Sequence, residues 1–258
     1  MNITEFEMNW FSLAGKNAVV TGGNTGLGQA FSLALAKGGA NVFVPSLAND
    51  DGTTQTLIEG AGVRYAFMEA DITQSGGPEH VVKSCVDQFG SIDILINSAG
   101  VCPLAEVLEF DRPKWDATVN VNLTAAFEMS YEAAKFMTAQ RSGKIINICS
   151  MFSFLGGRMN PAYAATKHGI AGLTKAYCDE LAEYNVQVNG IAPGYFATAI
   201  TTATRSNPDS NRRVLEHIPA ARWGETLDLM GTVVYLSSRA SDYVNGHILC
   251  VDGGYLVR

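Results

Sequence analysis

Tyr163 stands four residues before Lys167 in NPAYAATKHG, residues 160–169, a stretch rich in Ala and Gly that reads as the opening of a helix. One helical turn separates the two side chains, so they share a face. A phenol titrates near about pH 10 and a lysine slightly higher, so neither moves protons readily at neutral pH unless each alters the other. An ammonium held close to a phenol favours the phenolate, which turns an idle group into a base. Ser150 closes the apolar run GKIINICS (143–150), thirteen residues before the tyrosine. A helix returning from near Asn160 carries Tyr163 back over the end of that run, so that hydroxyl, phenol and ammonium converge. Alone, a Y-x-x-x-K spacing is most often a solvated helix face with the tyrosine at the core edge. Its meaning depends on what precedes it.

What precedes it is a glycine-rich turn. KNAVVTG (16–22) leads into TGGNTGLG, with Gly22, Gly26 and Gly28, and then into the helix-forming AFSLALAKGG. Glycines in a strand-to-helix turn let the backbone approach a pyrophosphate, while the helix start supplies free N–H groups and a positive dipole end. The spacing departs from G-x-G-x-x-G, and a lone turn of this kind is as often a tight corner as a cradle. Asp71, after the third apolar run, is placed to accept a hydrogen bond from an adenine amine, or to cap a helix. Asn97 and Gly100, closing the fourth, line the same crevice or only shape a turn.

The elements that must position these residues alternate along the chain. Runs at 16–22, 40–46, 63–71, 92–100, 143–150, 186–194 and 247–254 are separated by helix-length segments, a βαβ rhythm. Runs apolar at nearly every position imply strands buried on both faces. The expected fold is therefore α/β: one domain over 1–258, a doubly wound parallel sheet with helices on both faces. The conspicuously polar ITTATRSNPDSNRRVLEHI (200–218) follows a strand end, where a substrate lid spanning about 198–218 would sit.

Composition narrows the partners. The 258 residues are 47% hydrophobic, enough for one well-buried core, and carry a net charge of −7 with both signs interspersed. That argues against nucleic acid or an anionic membrane surface and for a small soluble ligand. Cys85, Cys102, Cys149, Cys178 and Cys250 form no C-x-x-C pair and the four histidines show no ligand spacing, so no metal is expected. Reduced thiols, an acidic N-terminus and no membrane-length apolar run point to a cytoplasmic protein.

TGGNTGLG, NSAG, Asn122 within VNVNLTAAF, Ser150, YAATK and IAPGYFAT together make the chain resemble the classical short-chain dehydrogenases/reductases over almost its whole length. The resemblance implies a Rossmann-type domain with a seven-stranded parallel sheet, NAD or NADP as coenzyme, and Asn122, Ser150, Tyr163 and Lys167 as the catalytic set. It implies coenzyme contacts from Gly22, Asn24, Thr25, Gly26, Leu27 and Gly28 in the turn, Ser46 after the second strand, and Asp71 and Ile72 after the third. Asn97, Ala99 and Gly100 follow the fourth, and Tyr163, Lys167, Pro193, Gly194 and Thr198 complete the set, with Thr198 at the nicotinamide amide. Lys167 would hold ribose hydroxyls and Asn122 would support a relaying water. NSAG in place of NNAG keeps Asn97.

Ser46 occupies the position that discriminates the coenzymes. No cation stands near it, and Asp50 and Asp51 do, so the expectation leans to NAD(H). KIINICSM, NGIAPGYFAT, IPAARWGE and ASDYVNGHILCVDGG resemble the branch of gluconate 5-dehydrogenases and 2-deoxygluconate 3-dehydrogenases, which implies a sugar-acid substrate. A carboxylate calls for a guanidinium and hydrogen-bonding side chains rather than a greasy wall. Arg158 and Arg205 are the candidates, each otherwise an ordinary surface ion-pair partner. Family alternatives are an oxoacyl-thioester reductase or a polyol/ketose reductase; a non-catalytic dinucleotide-binding regulator is the alternative of another class. Helices over 113–140 and 161–184 with the last strand resemble the family's subunit contacts, implying a homotetramer, or else a dimer.

Overall fold

The computed structural model describes residues 3–258; residues 1 and 2, counted in the expected domain, lie outside the described residues. All seven apolar runs form strands: β1 (Asn17–Val20), β2 (Asn41–Ser46), β3 (Tyr65–Glu69), β4 (Ile94–Asn97), β5 (Gly143–Ile148), β6 (Val186–Pro193) and β7 (Ile248–Val251). Their order is β3-β2-β1-β4-β5-β6-β7 and every pairing is parallel. All seven C-terminal ends therefore share one edge. The order reverses at β1, which pairs with both β2 and β4, and that reversal opens a crevice at the carboxyl edge.

Period-2 side-chain alternation divides the core between the two faces. Ala18, Val20, Ile94 and Ile96 pack with Phe31 and Leu35 of α1 (Gly26–Lys37) and with Leu229, Val233 and Leu236 of α9 (Leu227–Ser237). On the other face Val19, Leu95 and Ile145 meet Val81, Val82 and Cys85 of α3 (Gly77–Phe89) and Met129, Ala133 and Met137 of α5 (Ala125–Gln140). Each Val, Leu, Ile, Met or Phe among them contributes about 1.5–3 kcal/mol on burial. The short α2 (Thr53–Glu59) covers the β2–β3 crossover.

The expected helix over 113–140 is not continuous. α4 (Arg112–Val119) passes into a π turn, Asn120–Thr124, closed by the Ala125 N–H on the Asn120 carbonyl, before α5 continues. A π turn inserts one extra residue per turn, and Asn122 sits at its centre, buried. α6 (Pro161–Leu181) starts with Pro at its first position, where the missing N–H costs nothing. The polar stretch after β6 forms α7 (Thr202–Ser206) and α8 (Pro208–His217). Among the described residues no helix is long and apolar enough to cross a membrane, and no group of three His, Cys, Asp or Glu is placed to hold a metal ion.

Asp228 ties the start of α9 to the preceding loop. Its carboxylate accepts both Arg222 guanidinium N–H groups, at 2.7 and 2.9 Å, and the Glu225 N–H at 2.8 Å. The Arg222 hydrogen bonds, then the Glu225 N–H, hold its pKa near about 2. A carboxylate lowered in the folded state stabilises it fully above the ordinary carboxylate pKa, about 4, and loses that stabilisation as pH falls toward about 2. The melting temperature of Asp228→Asn is therefore expected to fall less steeply than the wild type's across that window. Parallel slopes in a pH series of thermal melts would show that the pair contributes nothing.

Candidate active site

The glycine-rich turn lies at the reversal of strand order. Gly22 and Gly26 have φ of +63° and +51°, a region side chains avoid, and a Cβ at Gly28 would run into the Gly22 carbonyl oxygen. The turn is stitched to its neighbours: the Gly22 N–H donates to Pro45 O at 2.9 Å, and the Thr21 hydroxyl accepts the N–H groups of Ser98 and Ala99, both at 3.0 Å. Thr25, at the N-cap of α1, makes no side-chain cap bond, which leaves first-turn N–H groups to an outside acceptor. Asn24 is buried; its amide donates to the carbonyls of Ala48 (2.8 Å) and Asn49 (3.3 Å), while Oδ1 has no partner. Leu27 packs against the core beneath, and Ile72 is buried on the far side. A turn whose glycines take positive φ at Gly22 and Gly26 and leave no room for a Cβ at Gly28, beside an uncapped helix start, fits a dinucleotide pyrophosphate.

At the adenosine end the polar groups after β2 are hydrogen-bonded among themselves. Ser46 is buried and its hydroxyl accepts the Ala48 N–H at 3.1 Å. Asp50 accepts the Tyr65 hydroxyl and the Gly52 N–H, and burial followed by the Asp50 contact pushes the Tyr65 phenol up. Asp71, the expected adenine contact, is hydrogen-bonded within its own turn. Its carboxylate accepts the Thr73 N–H (2.9 Å) and hydroxyl (2.6 Å) and the Gln74 amide (3.0 Å), bonds that lower its pKa. It acts as the capping residue of the turn into α3, the alternative raised by its position before a helix.

Ser150 lies just beyond β5 and opens a short capping box: its Oγ accepts the Phe152 N–H at 3.2 Å, and the Ser153 hydroxyl accepts the Ser150 N–H at 3.2 Å. The Ser153 hydroxyl donates in turn to Lys167 O at 2.7 Å, so one serine joins the β5 loop to α6. Sequence reading passed over Ser153; the S-x-x-S spacing at a strand end was its signal. The Tyr163 ring packs edge-on against Phe152, two residues after Ser150, at 6.1 Å between ring centres. Lys167 is buried, donates to Ile148 O at 2.6 Å, and places its ammonium 5.4 Å from the Tyr163 ring centre.

The predicted lowering of the tyrosine pKa by Lys167 is not found. Burial pushes the Tyr163 phenol up against a smaller opposing effect from Ser150, and burial pushes the Lys167 ammonium down. The lysine spends its hydrogen bond on a backbone carbonyl rather than on the phenol. Asn122, the expected support of a relaying water, has its side chain bonded to the neighbouring loop and helix. Its Oδ1 accepts the Val101 N–H (2.8 Å), and its amide donates to Val101 O (2.9 Å) and toward Thr166 Oγ1 (3.4 Å). It clamps the β4–α4 loop against α6.

Asn97, buried at the end of β4, donates to Asn147 Oδ1 (2.8 Å) and Ser130 Oγ (2.9 Å) and stitches β4 to β5 and α5. Ala99 and Gly100 follow on the crevice side, Gly100 within ordinary contact range of Asn122. Pro193 ends β6; Gly194 packs so tightly on Asp252 that a Cβ would collide with its backbone. Thr198 caps the turn before α7. The two arginines do not converge on Tyr163. Arg158 is exposed and pairs with Glu106 at 3.3 Å, while Arg205 donates to Thr198 O (3.0 Å) and Thr201 Oγ1 (3.3 Å) within its own turn. Leu104, Leu108, Phe154 and Leu155 are exposed on the loops after β4 and β5, a more apolar rim than a sugar acid suggested. A separate cavity of about 210 Å³ beyond β6 and β7 is walled by Tyr195, Phe196 and the Arg222–Asp228 pair, charges already matched to each other.

A parallel sheet with a glycine cradle at its reversal, and Ser150, Tyr163 and Lys167 at the next strand's end, defines a dinucleotide-dependent oxidoreductase. Comparisons with known proteins agree. The short chain dehydrogenase family profile matches residues 16–209. An uncharacterized oxidoreductase of Escherichia coli (strain K12), YgcW, is 63% identical over 257 residues, covering 100% of this chain and 98% of that protein. The 2-dehydro-3-deoxy-D-gluconate 5-dehydrogenase of Bacillus subtilis (strain 168) is 45% identical over 250 residues, 96% of this chain and 97% of that one. A crystal structure of a gluconate 5-dehydrogenase from Burkholderia cenocepacia J2315, in complex with NADP and tartrate, superposes with TM-score 0.91 at 34% identity, covering 97% and 98% of the two chains. The chain belongs to the short-chain dehydrogenase family and is an oxidoreductase acting on CH–OH donors. The lean to NAD(H) gains no support, because structural relatives hold NADP.

Gly28→Ala is expected to weaken NAD(P)H binding at least tenfold in a fluorescence titration while circular dichroism stays native, since the added methyl must push the Gly22 carbonyl into the cradle. Unchanged affinity would place the coenzyme elsewhere.

Proposed function

We propose that this protein catalyses the reversible oxidation of a secondary hydroxyl on a six-carbon aldonic or deoxyaldonic acid to the keto acid, using NAD or NADP. The observation that carries the reaction is the meeting of Ser150, Tyr163 and Lys167 at the carboxyl edge of β5, next to the glycine cradle. The sugar-acid class is supported by the activity named for the Bacillus subtilis relative and by the tartrate, a hydroxylated diacid, in the Burkholderia structure.

The coenzyme, when bound, supplies the hydride acceptor for oxidation and the donor for reduction. Gly22, Asn24, Thr25, Gly26, Leu27 and Gly28 would hold its pyrophosphate, Ser46 and Ile72 its adenosine end, and Asn97, Ala99, Gly100, Pro193, Gly194 and Thr198 its nicotinamide side. Ser150 donates to the substrate oxygen and orients it. Tyr163 removes the hydroxyl proton as the C–H bond breaks, and returns it in reduction. Because burial holds the phenol protonated, the base form needs positive charge beside it. Lys167 supplies one charge and has N–H groups beyond its Ile148 bond for the ribose hydroxyls. Asn122 positions the wall through Val101.

Ser46, Asn24 and Asn49 present no charge to the adenosine ribose, and Asp50 and Asp51 follow them directly. Leu47→Arg, at an exposed position, is expected to raise the NADP/NAD ratio of kcat/KM about tenfold; no shift would remove this loop from coenzyme selection.

The deciding experiment is a coenzyme-coupled screen of gluconate, 2-deoxygluconate, their keto acids, uncharged polyols and acyl thioesters. Turnover confined to polyols or thioesters would overturn the sugar-acid reading. In parallel, Tyr163→Phe is expected to abolish turnover while coenzyme affinity survives; near-normal turnover would overturn the acid–base assignment. For assembly we infer a homotetramer: Trp115, Phe127 and Tyr131 are exposed along α4 and α5, an aromatic stripe suited to another subunit. Light scattering that gives a monomer at micromolar concentration would refute it. Five unpaired thiols suit a reducing cytoplasm.

A further inference from the structure

Asn160 is 5% exposed and opens α6, yet its side chain caps nothing. Its amide nitrogen reaches only the thiol of Cys102, at 3.9 Å, a weak acceptor, and its Oδ1 is buried with no partner. The side chain is packed over Gly157, where a Cβ would run into Oδ1. A buried amide so poorly matched carries a desolvation penalty that an aliphatic residue of the same shape would avoid. Such a group in a native structure calls for a partner from outside the chain.

Its place in the fold says which partner. Asn160 and Cys102 sit where the loop after β4 meets the loop after β5, strands of backbone joined by the Ala105 N–H on Met159 O at 2.9 Å. Asn160 lies one turn before Tyr163 on the same helix, and the Cys102 thiol is within electrostatic reach of both Tyr163 and Lys167. The pair thus flanks the reacting groups from the loop side, whereas Arg158 in the same loop is turned to Glu106. We propose that Asn160, with Cys102 beside it, is the specificity-determining element that reads hydroxyl groups on the carbons next to the reacting carbon. A hydroxyl both donates and accepts, so it can satisfy either end of an amide; a carboxylate only accepts, and a hydrocarbon does neither. The ligand class is a polyhydroxylated ketone or secondary alcohol, charged or neutral. The inference rests on Tyr163 marking the reacting carbon, and it holds for sugar acids and uncharged sugars alike.

The test uses the full-length protein and its Asn160→Leu and Cys102→Ala variants. The readouts are melting temperature, NAD(P)H affinity by fluorescence, and kcat/KM for reducing a keto sugar acid, an uncharged ketose and a keto acid bearing no hydroxyl groups. Asn160→Leu should melt at or above the wild-type temperature and bind coenzyme within twofold. Its kcat/KM on hydroxylated substrates should fall tenfold or more, with less than a threefold fall on the hydroxyl-free keto acid. Cys102→Ala should shift selectivity in the same direction by a smaller factor. Parallel losses on both substrate types, a lowered melting temperature, or hydroxylated substrates unchanged within twofold in both variants would overturn the proposal. A wild type that reduces the ketose but no sugar acid defeats the sugar-acid reading and leaves this comparison valid. A wild type that prefers the hydroxyl-free keto acid defeats the inference itself.

Discussion

A lysine ammonium buried at the end of β5, with one backbone carbonyl as its hydrogen-bond acceptor, is the constraint to which the rest of the site conforms. An ammonium has three N–H donors, and leaving two of them without acceptors in a protein interior is unfavourable. The Ile148 carbonyl is turned toward Lys167 because β5 ends there, the next N–H along the chain, that of Cys149, pairing with Ile191. Ser153 accepts from Ser150 and donates to the backbone of Lys167, so the strand end and the helix move as one body. Asn122 then fixes the loop after β4 against Thr166, one residue before the lysine. Three elements far apart in sequence are held around one cation, and Tyr163 takes its position from them.

The sheet and the glycine turn were legible because local rules decide them. Seven β-branched runs spaced by helix-length segments admit few folds, and a turn whose glycines have positive φ excludes other residues whatever surrounds it. Tyr163, Lys167 and Ser150 were legible as a set for a similar reason: helix period and strand end bring them together. What escaped the sequence was the choice of partner. Asp71 takes Thr73 and Gln74, within three residues, as hydrogen-bond partners, the helix-cap role its position equally offered. The π turn at Asn122 depends on the loop it clamps, which no periodicity reveals. The orphaned amide of Asn160 is visible only once burial is known, because Asn before Pro reads as an ordinary helix start.

Electrostatics at the two ends of the crevice follow different logics. At the catalytic end, burial shifts phenol and ammonium in opposite directions, each toward its neutral form, so the reactive ion pair is not the resting arrangement of the isolated chain. In the proposed reaction, charge brought by a bound coenzyme would favour the base form of the phenol. At the adenosine end, Asp50 accepts the Tyr65 hydroxyl and Ser46 is bonded within its own turn, hydrogen bonds that place no cation beside Asp50 or Asp51.

The same reasoning bears on the substrate carboxylate. Arg158 is paired with Glu106, yet both side chains are largely exposed, 81% and 52%, and such pairs are worth about 0–1 kcal/mol. Exchanging one carboxylate for another at that guanidinium therefore costs little, and the pairing does not disqualify Arg158. Arg205 differs. Its guanidinium closes the turn that begins at Thr198, with bonds to a carbonyl and two hydroxyls, so drawing it to a ligand would loosen the start of the polar stretch after β6. A carboxylate bound through Arg158 leaves that stretch intact, and one bound through Arg205 moves it. For the proposed sugar-acid substrate, the first route would disturb only a solvated ion pair.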